Sequence, residues 1–329
     1  LAGLRFRHLD DATWLAVYHY VGADLQGAEL DRLAHLNSPR LSYLGERLIS
    51  WWCVPGLLRS VGIVANLAKG GALELARELV AELERGGLEL LLEERLAGAL
   101  NRPELARPMS DMAPDLLIVL GGDGTILRTC LRLPDNRPLI LAVNLGERGF
   151  LTTVEPGEAL DALRACLSGA FSVEERMRLK AYIDGRELPE ALNELCLTSK
   201  VPVKLFKAEV SKDGQWMAFL EADGLIVATP SGSTGYSLSC GGPIVDPGLK
   251  CILVTPICPI RPLWPFVLPP EAEVAIKVLR AREPVAIVDG QEVYELHVGS
   301  EVVVRASDRP LRFVKLRERF YEKLAERGR

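Results

Sequence analysis

The stretch "LLIVLGGDGTILRT", Leu116–Thr129, places an apolar run directly before a glycine-rich turn that contains one carboxylate, Asp123. A short continuous apolar run is typical of a strand buried on both faces of a parallel sheet. The turn then lies between that strand and a predicted helix, where unpaired backbone N–H groups favour phosphate oxygens. These features predict an α/β domain with an anion site. The predicted site comprises Gly121, Gly122, Gly124 and Thr125.

The turn matches neither of the two familiar phosphate-binding motifs. The chain has no GxxxxGK[ST], and in GGDGTIL the third glycine of GxGxxG is replaced by Leu127. A carboxylate beside bound phosphate needs a cation, or a proton to accept, because two uncompensated negative groups repel strongly. Both conditions point to phosphoryl transfer, with magnesium as the cation and a substrate hydroxyl as the source of the proton. The alternative is that Asp123 only caps the helix that begins near Thr125.

Length, charge and cysteine content restrict the class of protein. The 329 residues exceed the usual size of one hydrophobic core and predict two domains. A net charge of -5 gives no electrostatic reason to expect nucleic acid or an anionic membrane as the main partner. The seven cysteines form no CxxC pair and indicate neither a disulfide framework nor a zinc ribbon. We therefore expect a cytoplasmic protein without a transmembrane helix.

Changes in hydrophobic periodicity divide the chain into four parts. Residues 1–57 form an N-terminal extension whose role the sequence does not indicate. From 58 to 153, apolar strand-like runs alternate with helical segments, as in an α/β domain. From 154 to 312 the pattern becomes mostly alternating, with turn dipeptides, which predicts a β-rich domain. Residues 313–329 predict a C-terminal amphipathic helix, and its apolar side would carry Phe313, Leu316, Phe320 and Leu324.

Three further segments combine polar side chains with apolar or glycine-rich surroundings. Residues 223–247, DGLIVATPSGSTGYSLSCGGPIVDP, have the hydroxyls and glycines of a loop that wraps a substrate. In residues 191–197, ALNELCL, the pair Asn193-Glu194 interrupts an apolar run, where buried polar groups must find partners or line a cavity. Residues 287–293, IVDGQEV, are a weaker signal, since a dipeptide such as Asp289-Gly290 is most often only a hairpin turn.

Together these segments resemble the NAD kinase family, enzymes that phosphorylate NAD to NADP with ATP or polyphosphate. The resemblance runs from about Arg59 to Lys315 and rests, in order, on GIVAN, GGDGT, NLGERGFL, LNE, the 223–247 block and DGQ. It implies an α/β N-terminal domain followed by a β-rich C-terminal domain that binds the dinucleotide, with the dinucleotide in the cleft between them. It also implies a homodimer or homotetramer. Magnesium or another divalent cation would be held through the donor phosphates and not by a cluster of protein ligands.

The resemblance also implies roles for individual residues. Asp123 would act on the accepting 2′-hydroxyl of the adenosine ribose, while the turn around it holds phosphates and magnesium. The residues expected to contact the dinucleotide are Asn193, Glu194, Asp223, Thr234, Gly235, Tyr236 and Ser239. Two further residues near the turn, Asn66 and Arg148, are predicted as phosphate contacts. After Pro259 the family's His-Ser pair is missing, so no catalytic histidine is predicted.

Two other functions stay open at this point. A kinase of a lipid, a sugar phosphate or another nucleoside could share the glycine-Asp-glycine turn, although the 223–247 block favours a dinucleotide. The chain could also be a catalytically silent dinucleotide-binding regulator on an enzyme scaffold, against which the joint retention of Asp123, Asn193 and Glu194 argues. The donor, ATP or polyphosphate, is not determined, because backbone N–H groups and magnesium recognise phosphates and not bases.

Overall fold

A computed structural model of the protein describes residues 58–134, 138–146, 149–201 and 204–327. The predicted extension, residues 1–57, lies outside this part of the chain, and so does Arg148. The described residues belong to one compact unit that begins at Leu58. Among them, no helix is both long and apolar enough to cross a bilayer.

The described residues form nineteen strands and six α-helices. The strands are β1 (Ser60–Ala65), β2 (Glu89–Glu93), β3 (Ala106–Arg107), β4 (Leu116–Gly121), β5 (Leu139–Asn144), β6 (Ser172–Arg176), β7 (Leu179–Ile183), β8 (Arg186–Glu187), β9 (Glu194–Ser199), β10 (Phe206–Lys212), β11 (Gln215–Ala222), β12 (Gly224–Ala228), β13 (Ile252–Ile257), β14 (Phe266–Leu268), β15 (Val274–Arg280), β16 (Pro284–Val288), β17 (Glu292–Glu295), β18 (Glu301–Ala306) and β19 (Leu311–Lys315). The helices are α1 (Ala72–Arg85), α2 (Glu94–Ala99), α3 (Asp123–Arg132), α4 (Ala159–Ser168), α5 (Tyr236–Ser239) and α6 (Phe320–Arg327).

The first layer is a seven-stranded sheet with helices on its faces. Its strand order is β3-β2-β1-β4-β5-β19-β6, and all neighbours are parallel except β19 and β6. Every residue of β4 and β5 is buried, as their unbroken apolar runs predict. Helix α1 buries Leu75, Leu79 and Leu83 against this sheet, at the helical spacing seen in the sequence. The predicted α/β fold of this layer is confirmed.

The second layer consists of two six-stranded antiparallel sheets. Their strand orders are β11-β10-β15-β18-β7-β8 and β14-β13-β12-β9-β16-β17. Apolar side chains from both sheets pack in one shared core, which includes Leu195, Leu197 and Val227. Because side chains alternate along a strand, Cys196 and Ile226 lie on the other face, which the chain from Gly235 to Val245 covers. The predicted β-rich second part is confirmed.

The boundaries predicted from periodicity differ from those of the sheets. Helix α4 and strands β6 and β19 pack with the first layer, although residues 154–312 are predicted as the β-rich part. The helix predicted from residue 313 was wrong over its first residues, because Leu311–Lys315 is a strand and the helix begins at Phe320. The apolar spacing from Phe313 onward fits a helix only by coincidence, since Phe313 is buried by the alternation of a strand.

The burial of Phe313 can be tested by substitution. Phe313 is 2% exposed in the core beside α3, whereas Phe219, on an outer face of β11, is 47% exposed. We expect Phe313→Ala to lower the free energy of unfolding by about 3–5 kcal/mol, because it opens a cavity. Phe219→Ala should cost less than about 1 kcal/mol. Urea unfolding at one protein concentration measures both, and equal losses would contradict the burial of Phe313.

Candidate active site

The GGDGT turn joins β4 to α3 and leaves open space on its outer side. A Cβ at Gly121 would lie 2.4 Å from Thr125 Oγ1, so Gly121 is needed for the helix to approach the strand. A Cβ at Gly122 would meet nothing nearer than Gly146 Cα at 4.0 Å, and one at Gly124 would meet no atom within 4 Å. Neither of these two glycines has a positive φ. Neither backbone strain nor packing within the described part of the chain therefore explains why they are glycines.

Asp123 is held by the loop that follows β5 and does not cap its own helix. Its Oδ2 accepts a hydrogen bond from the Phe150 N–H at 2.9 Å, and its Oδ1 accepts one from the Leu151 N–H at 3.0 Å. The N-cap of α3 is Gly122, and no side chain caps this end of the helix. The capping alternative was therefore wrong. Each oxygen of the carboxylate keeps further acceptor capacity for a hydroxyl.

The electrostatic environment of Asp123 balances burial against positive charge. Burial raises the pKa of this carboxyl, because the charged form loses hydration. The two N–H groups of Phe150 and Leu151 oppose the increase in pKa, as do the charges of Lys323 and Arg176. The result is a carboxylate that is more basic than an ordinary aspartate and held in one orientation.

The carboxyl ends of three parallel strands meet at this turn. Asn66 directly follows β1, and its Nδ2 donates to Thr125 Oγ1 at 3.3 Å. Asn144 ends β5, is buried, and accepts a hydrogen bond on Oδ1 from the Gly146 N–H at 3.0 Å. The structure thus places Asn66 against the turn, where its amide braces the threonine hydroxyl.

The C-terminal helix contributes a cation that the sequence did not reveal. Lys323 Nζ donates to the backbone carbonyls of Gly149 and Thr152, and to Thr152 Oγ1 at 3.2 Å. These two residues flank the pair of N–H groups that hold Asp123. Burial lowers the pKa of Lys323, while the charges of Asp123 and Glu155 oppose that change. In sequence, Lys323 is one of many charged residues of an amphipathic helix, so no local signal distinguishes it.

A second carboxylate, the buried Asp289, organises the Asn193-Glu194 pair. Its two oxygens accept hydrogen bonds from the N–H groups of Leu192 at 2.8 Å, Asn193 at 2.8 Å and Glu194 at 3.0 Å. Asp289 has a φ of 48°, in the left-handed region, and joins β16 to β17 together with Gly290. Burial raises the pKa of Asp289 to about 6. The hairpin turn predicted there exists, but its side chain is also the anchor for residues 192–194.

Both polar side chains of the pair present unsatisfied acceptors. Among the described residues, Asn193 Oδ1 and Glu194 Oε2 are buried atoms without a hydrogen-bond partner. Burial, and then the nearby charge of Asp289, raise the pKa of Glu194 to about 8. Buried polar atoms are normally paired, so these two adjacent acceptors make this place a candidate ligand site.

The chain after β12 packs directly on this pair. The Thr229 N–H donates to the Asn193 carbonyl at 2.8 Å, and a Cβ at Gly232 would overlap that same oxygen at 2.1 Å. Ser231 Oγ accepts a hydrogen bond from Arg176 Nη1 at 3.2 Å. The positive charge of Arg176 also lowers the pKa of Asp123. Arg176 therefore interacts with both the glycine turn and the 223–247 block. Neither Arg176 nor its role was identified from the sequence.

The structure brings most, but not all, of the predicted dinucleotide contacts together. Thr234 is buried in the same loop, and a Cβ at Gly235 would lie 3.2 Å from Glu194 Oε2. Tyr236 and Ser239 lie exposed on α5, just beyond. Asp223 is not close to the pair, because Glu194 is paired with Ala228 and Asp223 precedes the opposite end of β12. That separation is roughly 17 Å, given the rise per residue of a strand.

The raised pKa of Glu194 predicts how stability depends on pH. Between pH 4.5 and about 8 the folded protein keeps a proton that the unfolded chain releases, so stability falls as pH rises through this range. Glu194→Gln has no charge to bury and removes this dependence. We expect its Tm to match the unmutated protein near pH 5 and to exceed it by about 2 °C or more at pH 8. A Tm difference that is the same at both pH values would contradict the assignment.

Comparison with known proteins identifies the family. The profile described as ATP-NAD kinase N-terminal domain matches residues 61–171, and the one described as ATP-NAD kinase C-terminal domain matches residues 192–316. The NAD kinase of Methanothermobacter thermautotrophicus is 39% identical over 81% of this chain and 95% of its own length. That of Thermococcus sibiricus is 36% identical over 80% of this chain and 96% of its own length.

Solved structures agree with this result. The yeast NADH kinase complexed with NADH superposes with a TM-score of 0.76 at 27% identity, covering 82% of this chain and 87% of that one. An NAD kinase from Archaeoglobus fulgidus in complex with ATP gives a TM-score of 0.66 at 28% identity, covering 81% of this chain and 98% of that one. The resemblance seen in the sequence is confirmed: this chain belongs to the NAD kinase family.

Proposed function

We propose that this chain transfers the terminal phosphoryl group of ATP to the 2′-hydroxyl of the adenosine ribose of NAD, giving NADP. Phosphorylation of NAD is the activity carried by the family to which the chain belongs. The observation that best supports phosphoryl transfer at this site is the carboxylate of Asp123, which two N–H groups fix at the edge of an open glycine turn. ATP as donor, in preference to polyphosphate, is supported by the ATP complex of the Archaeoglobus fulgidus relative.

Asp123 is assigned the role of general base. Its carboxylate accepts a hydrogen bond from the 2′-hydroxyl and orients that oxygen towards the phosphorus of the donor. As the new O–P bond forms and the bond to the leaving diphosphate breaks, the hydroxyl proton passes to Asp123. A secondary hydroxyl is a weak nucleophile, so most of the acceleration comes from positioning, and a carboxyl with a raised pKa is the better base.

The donor phosphates are assigned to the outer side of the glycine turn. Gly122 and Gly124 leave space there that side chains would fill, and the first turn of α3 offers N–H groups to anions. Space for a magnesium ion is provided by the same open side of the turn, beside the half-buried carboxylate of Asp123. Among the described residues no cluster of three His, Cys, Asp or Glu side chains is present. In this proposal the turn would hold the ion through the donor phosphates. When bound, magnesium neutralises the charge of the donor phosphates.

NAD is assigned to the orphaned acceptors of the second layer. Ribose hydroxyls are donors and fit the unpaired Asn193 Oδ1 and Glu194 Oε2. Thr234, Gly235, Tyr236 and Ser239 would line the adjoining base pockets, with Gly235 left small by the approach of Glu194. Asp223 lies nearer the Tyr236 end of this site than the Asn193-Glu194 end, so it would contact a different part of the dinucleotide. Arg148 stays a predicted phosphate contact.

The oligomeric state, the cellular location and the division into domains are also proposed. Three apolar side chains in the second layer, Trp216, Ile260 and Trp264, are 69%, 65% and 79% exposed, which supports a homodimer or homotetramer. The six cysteines of the described residues are free thiols and fit the cytoplasm. We also propose two domains. The first comprises residues 58–176 with β19 and α6, and the second comprises the two antiparallel sheets of residues 179–306.

Substitution of Asp123 tests the proposed chemistry. We expect Asp123→Asn to keep the fold, because the amide oxygen still accepts one N–H group, and to lose turnover by about 100-fold or more. NADP formation from NAD, magnesium and ATP is measured with an NADP-specific dehydrogenase, and parallel reactions contain polyphosphate. Unchanged turnover in Asp123→Asn would exclude Asp123 as the base. Product in the polyphosphate reactions and none in the ATP reactions would exclude ATP as the donor.

A pair of glycine substitutions tests the assigned phosphate position. Gly124→Ala meets no protein atom and lies in a helix, so it should leave stability equal or raise it by up to about 1 kcal/mol. It should nevertheless lower kcat/KM for ATP by roughly tenfold or more, because its methyl group occupies the ligand's space. Gly121→Ala, the matched control, overlaps Thr125 and should cost about 1–3 kcal/mol of stability. Full activity of Gly124→Ala would show that the donor phosphates bind elsewhere.

A further inference from the structure

The C-terminal helix makes contacts that a mere surface helix does not need. Phe320 packs edge to face against Phe150, with ring centroids 6.2 Å apart. Tyr321 Oη donates to Asp246 Oδ2 at 2.7 Å, at the end of the 223–247 block. Lys323 reaches the loop from Gly149 to Thr152. One short helix thus contacts both the loop that holds Asp123 and the loop that covers the second layer.

Lys323 satisfies three acceptors at one place. An ammonium group has three donors, and here they meet the carbonyls of Gly149 and Thr152 and the hydroxyl of Thr152. Gly149 and Thr152 are buried, so these carbonyls lack water as a substitute partner. The loop also packs closely against the site at this point, because a Cβ at Gly149 would lie 2.3 Å from Thr152 Oγ1 and 3.1 Å from Asp123 Oδ1.

The residues between these two carbonyls are the ones that orient the carboxylate. The N–H groups of Phe150 and Leu151 point at Asp123, while the carbonyls on either side of them point at Lys323. Removal of the ammonium group would leave two buried carbonyls unpaired, and the loop would shift to find other donors. A shift of that loop moves the N–H groups and therefore the carboxylate.

We propose that Lys323 is a positioning residue for phosphoryl transfer: it fixes the loop Gly149–Thr152 and through it the orientation of Asp123. This inference rests on the proposed role of Asp123 as the base. It gives the C-terminal helix a part in the reaction although none of the assigned substrate contacts lies on that helix.

The test compares Lys323→Met, Lys323→Arg and a control, Arg317→Met. Arg317 lies in the same terminal segment and pairs with Glu158 on the surface. We expect Lys323→Met to lower kcat by roughly 10- to 100-fold, the effect of a small misplacement of the reacting groups. Its KM for NAD should change by less than about threefold, because the dinucleotide contacts are untouched. Lys323→Arg should recover most of the loss, and Arg317→Met should equal the unmutated protein.

A double mutant distinguishes action through Asp123 from an independent effect. If Lys323 acts only by orienting the carboxylate, Lys323→Met should change kcat little further in an Asp123→Asn background. An equal fold loss in both backgrounds would overturn the proposal, and so would an unchanged kcat in the single variant.

Hydrogen exchange of the ligand-free protein tests the loop without any reaction. Backbone amides in peptides that cover Gly149–Thr152 should exchange faster in Lys323→Met, while peptides from β4 stay protected. Faster exchange throughout the fold, or no change in the loop, would overturn the proposal. If the unmutated protein forms no NADP, the proposed function fails, and the exchange result alone then decides whether Lys323 fixes the loop.

Discussion

The site depends on two carboxylates that backbone N–H groups keep in place, the buried Asp289 and the half-buried Asp123. Asp289 receives three such hydrogen bonds and Asp123 receives two. Hydrogen bonds to a charged acceptor are stronger than neutral ones, and the loss of one partner of a buried group costs about 1–3 kcal/mol. Each carboxylate therefore forces the backbone around it into one arrangement. Asp289 fixes residues 192–194, and Asp123 fixes the loop after β5.

The two carboxylates differ in how completely their partners satisfy them, and this difference separates their roles. Asp289 is 2% exposed, and its N–H partners leave little room for anything else. Asp123 lies at the open side of the glycine turn and has capacity left on both oxygens. A fully satisfied carboxylate is an anchor, whereas a partly satisfied one at a cavity is available to a substrate. Glu194, with an unpaired buried oxygen, belongs to the second kind.

This arrangement also bears on the alternative functions. A kinase of a hydrophobic lipid would need the glycine turn but would not need paired, buried acceptors on the second layer. The structure has both, and Arg176 connects them through Ser231 and the charge of Asp123. A silent regulator would bind the dinucleotide through Asn193 and Glu194. It would have no use for an oriented carboxylate of raised pKa beside an open glycine turn.

Local patterns predicted the elements, whereas contacts between distant residues decided their arrangement. The buried runs of β4 and β5, the amphipathic α1 and the polar pair within ALNELCL each carry their own signal in sequence. In sequence, Asp289 predicts only a hairpin turn. Its second role, anchoring residues 192–194, depends on N–H groups 95 to 97 residues away. The placement of β19 was not predictable either, since it pairs with β5 through residues such as Arg312 and Leu139, which lie 173 positions apart in sequence.

The topology explains why the last helix reaches the reaction site. In a sheet of parallel strands the carboxyl ends lie at one edge, and the ends of β1, β4 and β5 bring Asn66, the glycine turn and Asn144 together there. Strand β19 is parallel to β5 and adjacent to it, so its carboxyl end points to that same edge. The chain that leaves β19 therefore emerges beside the loop after β5, and a short turn delivers α6 to it. A strand placed antiparallel at this position would have sent Lys323 to the opposite edge of the sheet, away from Asp123.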